Sequence, residues 1–215
     1  MNMDMEGFRT GRRPSKAEED DAIREMFKKD QRPTPAELEN FVVTSEYWNR
    51  AVELYREDMG GIRWMMAEAA KSRDKATSYR GFLVGASAMG IEPNFSPDEP
   101  VLYHSGNFKY SPGEVRGEDK RCAERNVLDA ARGQAKVIVA VVIVSKETNT
   151  GDELGPHDVL HPCRDCREMF RKYLAEGFMR EDTILCNVND ANPEIKMEER
   201  TLKELLALYE SDTKI

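Results

Sequence analysis

The order of hydrophobic and polar residues divides the chain into strand-forming and helix-forming segments. Residues 137–144 form a continuous apolar, mostly β-branched run, which predicts a central strand buried on both faces. Further strands are predicted at residues 82–89, 101–104 and 183–188. Helices are predicted at residues 62–76, 122–132, 163–175 and 201–209. Strands that alternate with helices predict an α/β layer architecture with a mixed or mostly parallel sheet.

The first part of the chain carries helix signals and no strand pattern. Ser15 and Glu18 have the spacing of a capping box, and Thr34 and Glu37 repeat it with Pro35 at the first helical position. An amphipathic stretch follows at residues 45–55 and ends before a pair of glycines. We therefore predict a helical N-terminal extension at residues 1–59 and a second domain at residues 60–215, with the extension packed on that domain or on a neighbouring subunit.

Composition and charge narrow the classes of function. The 215 residues suffice for one domain with an extension, and the formal net charge of -8 disfavours nucleic acid and anionic membranes as partners. The longest apolar run is too short to cross a bilayer, and residues 1–13 lack the apolar segment of a secretory signal. Four cysteines in a chain of this length favour a metal site over a disulfide scaffold. These features predict a cytoplasmic protein.

Three cysteines lie where predicted helices begin. Cys163 and Cys166 are three residues apart, so a helix places both thiols on one face, and Cys122 begins another helix. The partial positive charge of a helix N-terminus lowers thiol pKa and favours the thiolates that zinc requires. Three thiolates can hold a zinc ion and leave its fourth position to water. The spacing therefore predicts zinc as the cofactor.

An acidic and a basic residue follow Cys122 directly. Glu124 is too close to Cys122 to serve as a comfortable fourth ligand, but it can transfer a proton to and from the metal-bound water. Arg125 is the candidate that offsets the charge of the thiolates by hydrogen bonding to sulfur, with Arg167 as an alternative. Solvated arginines are the ordinary interpretation of both. Together these residues predict a hydrolytic deaminase.

Other interpretations of the cysteines remain open. A Cys-x-x-Cys motif also occurs in redox proteins and in structural zinc sites, and Cys186 as a fourth ligand would close the site to catalysis. Cys186 falls within a predicted strand, where a buried core cysteine is common. The histidines, at positions 104, 157 and 161, are interpreted as structural or surface residues.

The motifs resemble those of the cytidine deaminase family. Cys122-Ala123-Glu124-Arg125 and Pro162-Cys163-Arg164-Asp165-Cys166-Arg167 are similar to its two metal motifs, and residues 79–86 and 201–206 to its first strand and closing helix. A cysteine as first ligand resembles the free-nucleoside branch, and blasticidin deaminases are possible relatives. The resemblance implies a three-layer α/β/α sandwich with a five-stranded mixed sheet. It also implies a homo-oligomer, often a tetramer.

The resemblance also implies roles for individual residues. It assigns zinc to Cys122, Cys163 and Cys166, the proton shuttle to Glu124, and charge compensation to Arg125. Substrate contacts are assigned to Phe82, Asn107 and Ala123. Lys109 stands where the family carries a ribose-binding carboxylate, so it is expected to face an acidic group of the substrate or to be an ordinary solvated lysine.

The expected activity is hydrolysis of the exocyclic amine of cytidine, deoxycytidine or a related aminated nucleoside, with release of ammonia. One alternative substrate is a nucleoside antibiotic or an acidic cytosine-like compound. Editing of a polynucleotide is a second alternative, for which the loop at residues 109–121 is the candidate basic groove, although acidic residues interrupt it. A non-enzymatic zinc scaffold is the third.

Overall fold

The computed structural model describes residues 32–57, 61–78, 82–94, 98, 100–109, 121–146, 159–191 and 195–210, with only the backbone of Lys109. The predicted helix that begins near Ser15 lies outside these residues, as do most of the loops at 109–121 and 145–161. The chain divides at Arg32, and Pro33–Ile215 is one compact unit. None of the described helices is both long enough and apolar enough to span a membrane.

The helices and strands follow each other in this order along the described chain. The N-terminal helices are α1 (Pro35–Asn40), α2 (Ser45–Arg56) and α3 (Ile62–Asp74). The strands that follow are β1 (Thr77–Ser78), β2 (Val84–Ile91), β3 (Val101–Gly106) and β4 (Phe108–Lys109). The second half contains α4 (Ala123–Ala131), β5 (Val137–Ser145), α5 (Arg164–Ala175), β6 (Ile184–Asn189), β7 (Lys196–Thr201) and α6 (Leu202–Leu208).

The main sheet has five strands in the order β3-β2-β5-β6-β7. Only the β5–β6 pair is parallel, and the other three pairs are antiparallel. The predicted mixed five-stranded sheet is therefore confirmed. All nine residues of β5 are buried, which confirms the central strand predicted from its continuous apolar run.

Helices cover both faces of the sheet, and each face has its own hydrophobic core. On one face, side chains of β5 such as Val139 and Val142 pack with Trp48 and Tyr55 of α2 and with α3. On the other face, alternate side chains of β5 pack with α4, α5 and α6. The predicted three-layer α/β/α architecture is therefore confirmed. The described helices of the predicted extension belong to this compact unit, while the domain boundary at residues 59/60 stays a prediction.

Two of the predicted helices begin with a capping box, and the one at α1 was predicted from the sequence. The Thr34 hydroxyl accepts a hydrogen bond from the Glu37 N–H, and the Glu37 carboxylate accepts one from the Thr34 N–H, with Pro35 at the first helical position. Thr201 and Glu204 form the same capping box at α6. These reciprocal bonds satisfy N–H groups that have no partner within the helix.

A glycine allows α3 to lie directly on the sheet. A Cβ atom at Gly85 in β2 would lie 1.8 Å from the carbonyl oxygen of Ala69 in α3. Its partner across the strands, Gly106 at the end of β3, faces the Ser72 carbonyl oxygen in the same way, at 2.5 Å. The close contact fixes the ends of β2 and β3 that lie nearest to Asn107.

The structure also contains an element that the hydrophobic pattern did not predict. Strand β7 reads Lys-Met-Glu-Glu-Arg-Thr and pairs antiparallel with β6 at the edge of the sheet. An edge strand needs few apolar residues, and charged side chains there discourage pairing with other chains. Strand β2 was predicted at residues 82–89 and instead spans Val84–Ile91.

Candidate metal centre

Three thiols converge at the N-termini of two helices. Cys122 is the N-cap of α4, Cys163 is the N-cap of α5, and Cys166 lies in the first turn of α5. The three sulfur atoms lie within 4.8 Å of one another, and those of Cys122 and Cys163 are 3.5 Å apart. A tetrahedral zinc ion with bonds of about 2.3 Å to sulfur requires sulfur atoms about 3.8 Å apart. The thiols therefore fit a metal site.

The fold brings the two helix starts together on one face of the sheet. Helix α4 follows the β3–β4 region, where the Asn126 side-chain amide donates a hydrogen bond of 2.8 Å to the Gly106 carbonyl oxygen. Phe108 forms a bridge with Arg121, directly before Cys122. The sequence analysis missed Asn126, whose only signal is a polar residue four positions after Cys122, one helical turn away.

The three thiols do not ionise alike. Hydrogen bonds from Cys122 and Cys166 hold the pKa of the Cys163 thiol far below its ordinary value, and the backbone N–H groups of Cys166 and Asp165 lower it further. The pKa of Cys122 is raised, chiefly because its thiol donates to Cys163. The pKa of Cys166 is raised by its bonds to both other sulfurs and then by burial. A cation between the sulfurs would favour the thiolate form of all three.

Glu124 lies in the first turn of α4 and is buried, with 5% of its surface exposed. Hydrogen bonds between the thiols and burial are the main causes that raise the pKa of Cys122 and Cys166. The negative charge of the Glu124 carboxylate raises both further. The carboxyl group is therefore close enough to the cluster to act on it electrostatically. This places the acidic residue predicted for proton transfer beside the three thiols.

The two candidate arginines are in different environments. Arg125 lines an open groove of about 500 Å³ between α4 and α5, and it has no hydrogen bond or ion pair with another described residue, the cysteines included. Its predicted contact with sulfur stays a prediction. Arg167 is buried, donates a hydrogen bond of 2.7 Å to the Pro162 carbonyl oxygen, and stacks on the Tyr209 ring at 3.7 Å. Arg167 therefore contacts the residue that precedes Cys163.

The residues expected to contact substrate lie around the same part of the sheet. Ala123 is fully buried, and Phe82 packs on the core cluster that contains it. The Asn107 side chain donates to the Phe82 carbonyl oxygen and accepts from the Val84 N–H, each at 2.9 Å. A substrate contact by Asn107 would thus use its second amide hydrogen or the second lone pair of its amide oxygen. The side chain of Lys109 lies outside the described residues.

The remaining cysteine is not part of the cluster. Cys186 is fully buried in β6 and belongs to the core on the opposite face of the sheet, beside Tyr55 of α2. Burial raises its pKa to about 12, which fits a neutral core thiol. Within the part of the chain that the structure describes, a four-thiolate site that includes Cys186 does not form.

Two of the histidines can also be placed. The Nδ1 atom of His104 lies 3.0 Å from the Ser72 hydroxyl, and the side chain is exposed at the edge of the sheet. His161 is buried and contacts Tyr209 and Glu198. Neither belongs to the thiol cluster, which agrees with their predicted structural or surface role, while His157 lies outside the described residues.

No protein-family profile and no curated protein matches the chain. Among solved structures, a cytidine deaminase from Burkholderia pseudomallei aligns with 66% of this chain and 94% of its own, at 17% identity and a TM-score of 0.46. A cytidine deaminase from Mycobacterium tuberculosis aligns with 67% of this chain and 93% of its own, at 17% identity and a TM-score of 0.40. Both of these solved structures are cytidine deaminases, the family that the sequence motifs of this chain resemble.

Proposed function

We propose that the chain is a zinc-dependent hydrolytic deaminase of the cytidine deaminase family. The observation that carries the proposal is the cluster of three cysteine sulfurs within 4.8 Å of one another, with the buried Glu124 in the adjoining helix turn. Cys122, Cys163 and Cys166 would hold the zinc. When bound, zinc supplies Lewis-acid activation of a water molecule. A purely structural site would not account for a buried carboxylate at this place.

Glu124 would carry the proton through the reaction. Its carboxylate accepts a proton from the attacking water and delivers it to the ring nitrogen next to the reacting carbon. It then takes the remaining proton of the hydroxyl group now on that carbon and passes it to the amine as the carbon–nitrogen bond breaks, so that water and the aminated ring give a ring carbonyl and ammonia. Burial of Glu124 suits this role, because it limits exchange of the transferred proton with bulk solvent.

The proposed substrate is cytidine, deoxycytidine or a closely related aminated nucleoside. Phe82 and Ala123 would contact the base, and Asn107 the sugar. Lys109 at the sugar end replaces a carboxylate of the family, which favours a substrate with an acidic group as the alternative. We further propose a homo-oligomer in the cytoplasm.

An ammonia-release assay with the zinc-loaded protein tests the activity. The panel comprises cytidine, deoxycytidine, free cytosine, a cytosine-containing nucleoside antibiotic and a cytosine-containing single-stranded oligonucleotide. We expect turnover of at least one nucleoside and none of the oligonucleotide. Turnover of the oligonucleotide alone would establish a polynucleotide editor instead. Bound zinc without ammonia from any member would contradict the proposed deaminase.

A further inference from the structure

A buried histidine precedes the second metal motif by one residue. The side chain of His161 is fully buried, and its two ring nitrogens face different elements. Nδ1 lies 2.8 Å from the hydroxyl of Tyr209 at the end of α6, and Nε2 lies 2.9 Å from a carboxylate oxygen of Glu198 in β7. The ring therefore bridges the end of the last helix and the edge strand.

Both partners of the histidine are themselves held in place. Glu198 accepts a hydrogen bond of 2.6 Å from the Arg200 side chain, two residues along the same strand. The Tyr209 ring lies under the Arg167 guanidinium, and the backbone carbonyl of Tyr209 accepts a hydrogen bond of 3.1 Å from the Arg171 side chain. Arg167 and Arg171 lie one turn apart on α5, so the end of α6 is held against the middle of α5.

These contacts converge on the segment that carries two of the three thiols. His161 lies on one side of Pro162, and Arg167 donates to the Pro162 carbonyl oxygen on the other. Cys163 follows directly as the N-cap of α5. A shift of this segment would move the sulfurs of Cys163 and Cys166 relative to Cys122, which belongs to a different helix. The geometry of a metal site depends on the residues that contact its ligands as well as on the ligands themselves.

We propose that Glu198 and Tyr209 are positioning residues of the metal centre, which set the location of Cys163 and Cys166 through His161 and Arg167. The inference rests on the proposed function only in that the three cysteines bind zinc. It adds two residues from the C-terminal part of the chain to a site that the sequence motifs confine to residues 122–125 and 162–167.

The experiment compares single variants of the full chain with matched controls. Tyr209→Phe removes the hydroxyl that contacts His161 and keeps the ring under Arg167, whereas Tyr209→Leu removes both. Tyr173→Phe is the control. Tyr173 is another buried tyrosine, near the C-terminal end of α5, and its hydroxyl donates a hydrogen bond to Asp129 of α4.

A second pair of variants tests the carboxylate. Glu198→Gln removes the charge beside His161. Its control is Glu199→Gln at the next position of the same strand, where the carboxylate accepts a hydrogen bond from Tyr55, a residue of the core on the opposite face of the sheet. The readouts are the zinc dissociation constant from competition with a chromophoric chelator, and the thiolate-to-metal and d–d absorption bands of the cobalt-substituted protein.

We expect Tyr209→Phe and Glu198→Gln to bind zinc about tenfold more weakly than the unmodified chain and to shift the cobalt bands, with a larger loss for Tyr209→Leu. Tyr173→Phe and Glu199→Gln should leave both readouts unchanged. Unaltered zinc affinity and cobalt spectra in Tyr209→Phe and Glu198→Gln would overturn the inference, as would equal effects in the controls. An unmodified chain that binds zinc but releases no ammonia would contradict the proposed function alone, and one that binds no zinc would contradict both.

Discussion

Cys163 shows at the scale of a single residue how backbone position prepares a thiol for a metal. As the N-cap of α5 it has extended backbone angles, and its sulfur lies beside the first N–H groups of the helix. These groups and the two neighbouring thiols lower its pKa. The N-cap is ordinarily occupied by serine, threonine, aspartate or asparagine. A cysteine at this position replaces the usual capping side chain, and the helix N-terminus stabilises its thiolate.

Removal of one clustered thiol should abolish metal binding, whereas removal of the core thiol should not. We expect Cys166→Ala to lose stoichiometric zinc, because two thiolates would leave two of the four zinc positions to solvent and hold the ion weakly. Cys186→Ala is the matched control, since it removes a buried thiol on the opposite face of the sheet. Metal content after dialysis measures the effect. Equal zinc content in the two variants would contradict the assignment of the ligands.

The carboxyl group of Glu198 should make stability depend on pH. Burial opposes its ionisation, but Arg200 and His161 outweigh burial and hold the pKa of Glu198 below its ordinary value of 4.5. A lowered folded-state pKa contributes stability that is present above about pH 4.5 and is lost as the pH falls below it. Urea unfolding of the metal-free protein should show a smaller loss between neutral and acid pH for Glu198→Gln than for the unmodified chain. Parallel pH profiles would rule this contribution out.

At the scale of elements, the strength of the sequence signal follows the degree of burial. Strand β5 was predicted because every side chain is buried, α1 because its capping box is a local pattern, and α6 because its leucines have helical spacing. Strand β7 was missed because its position at the edge is set by pairing with β6, which a short charged segment does not reveal. The register of the sheet depends on contacts between distant segments, so the local hydrophobic pattern could not predict it.

The contact between α3 and the sheet should be sensitive to a single methyl group. Gly85→Ala places a Cβ atom against the Ala69 backbone, which cannot move without displacing the helix, so we expect a loss of about 3 kcal/mol or more of unfolding free energy. Gly133→Ala is the control, because its added Cβ has no atom within 4 Å. Its only cost is the backbone strain of an alanine at a φ of 82°. Its expected cost is about 1 kcal/mol. Denaturant unfolding of both variants measures the difference, and equal losses would contradict the packing argument.

At the scale of the whole molecule, the two faces of the sheet have different roles. The face covered by α4, α5 and α6 holds the thiol cluster, and the face covered by α2 and α3 is a hydrophobic core. The three cysteines of the cluster could be predicted from the sequence, because Cys122 and Cys163 each cap a helix and Cys166 follows in the first turn. The contacts of Glu198 and Tyr209 with His161 could not, since no spacing links residue 161 to residues 198 and 209.

The described part of the predicted N-terminal extension should contribute to the stability of the whole unit. Trp48 of α2 is 4% exposed and lies under the Arg180 guanidinium at 4.2 Å, so Trp48→Ala should lower the unfolding free energy by about 3–5 kcal/mol. Trp64 is 45% exposed, and Trp64→Ala should cost about 1 kcal/mol or less. Urea unfolding followed by circular dichroism compares the two. A loss for Trp48→Ala no larger than that for Trp64→Ala would show that α2 is dispensable for the core.

The central claim is that three cysteine sulfurs hold zinc while Glu124 carries the proton. The most direct measurement is the zinc content and the rate of ammonia release of Glu124→Gln, beside the unmodified chain, on the best nucleoside of the panel. We predict one zinc ion per chain in both proteins and a loss of turnover in the variant of at least about a hundredfold, since a positioned general acid–base contributes about 10²–10⁴ to the rate. Turnover that persists in zinc-replete Glu124→Gln would contradict the account.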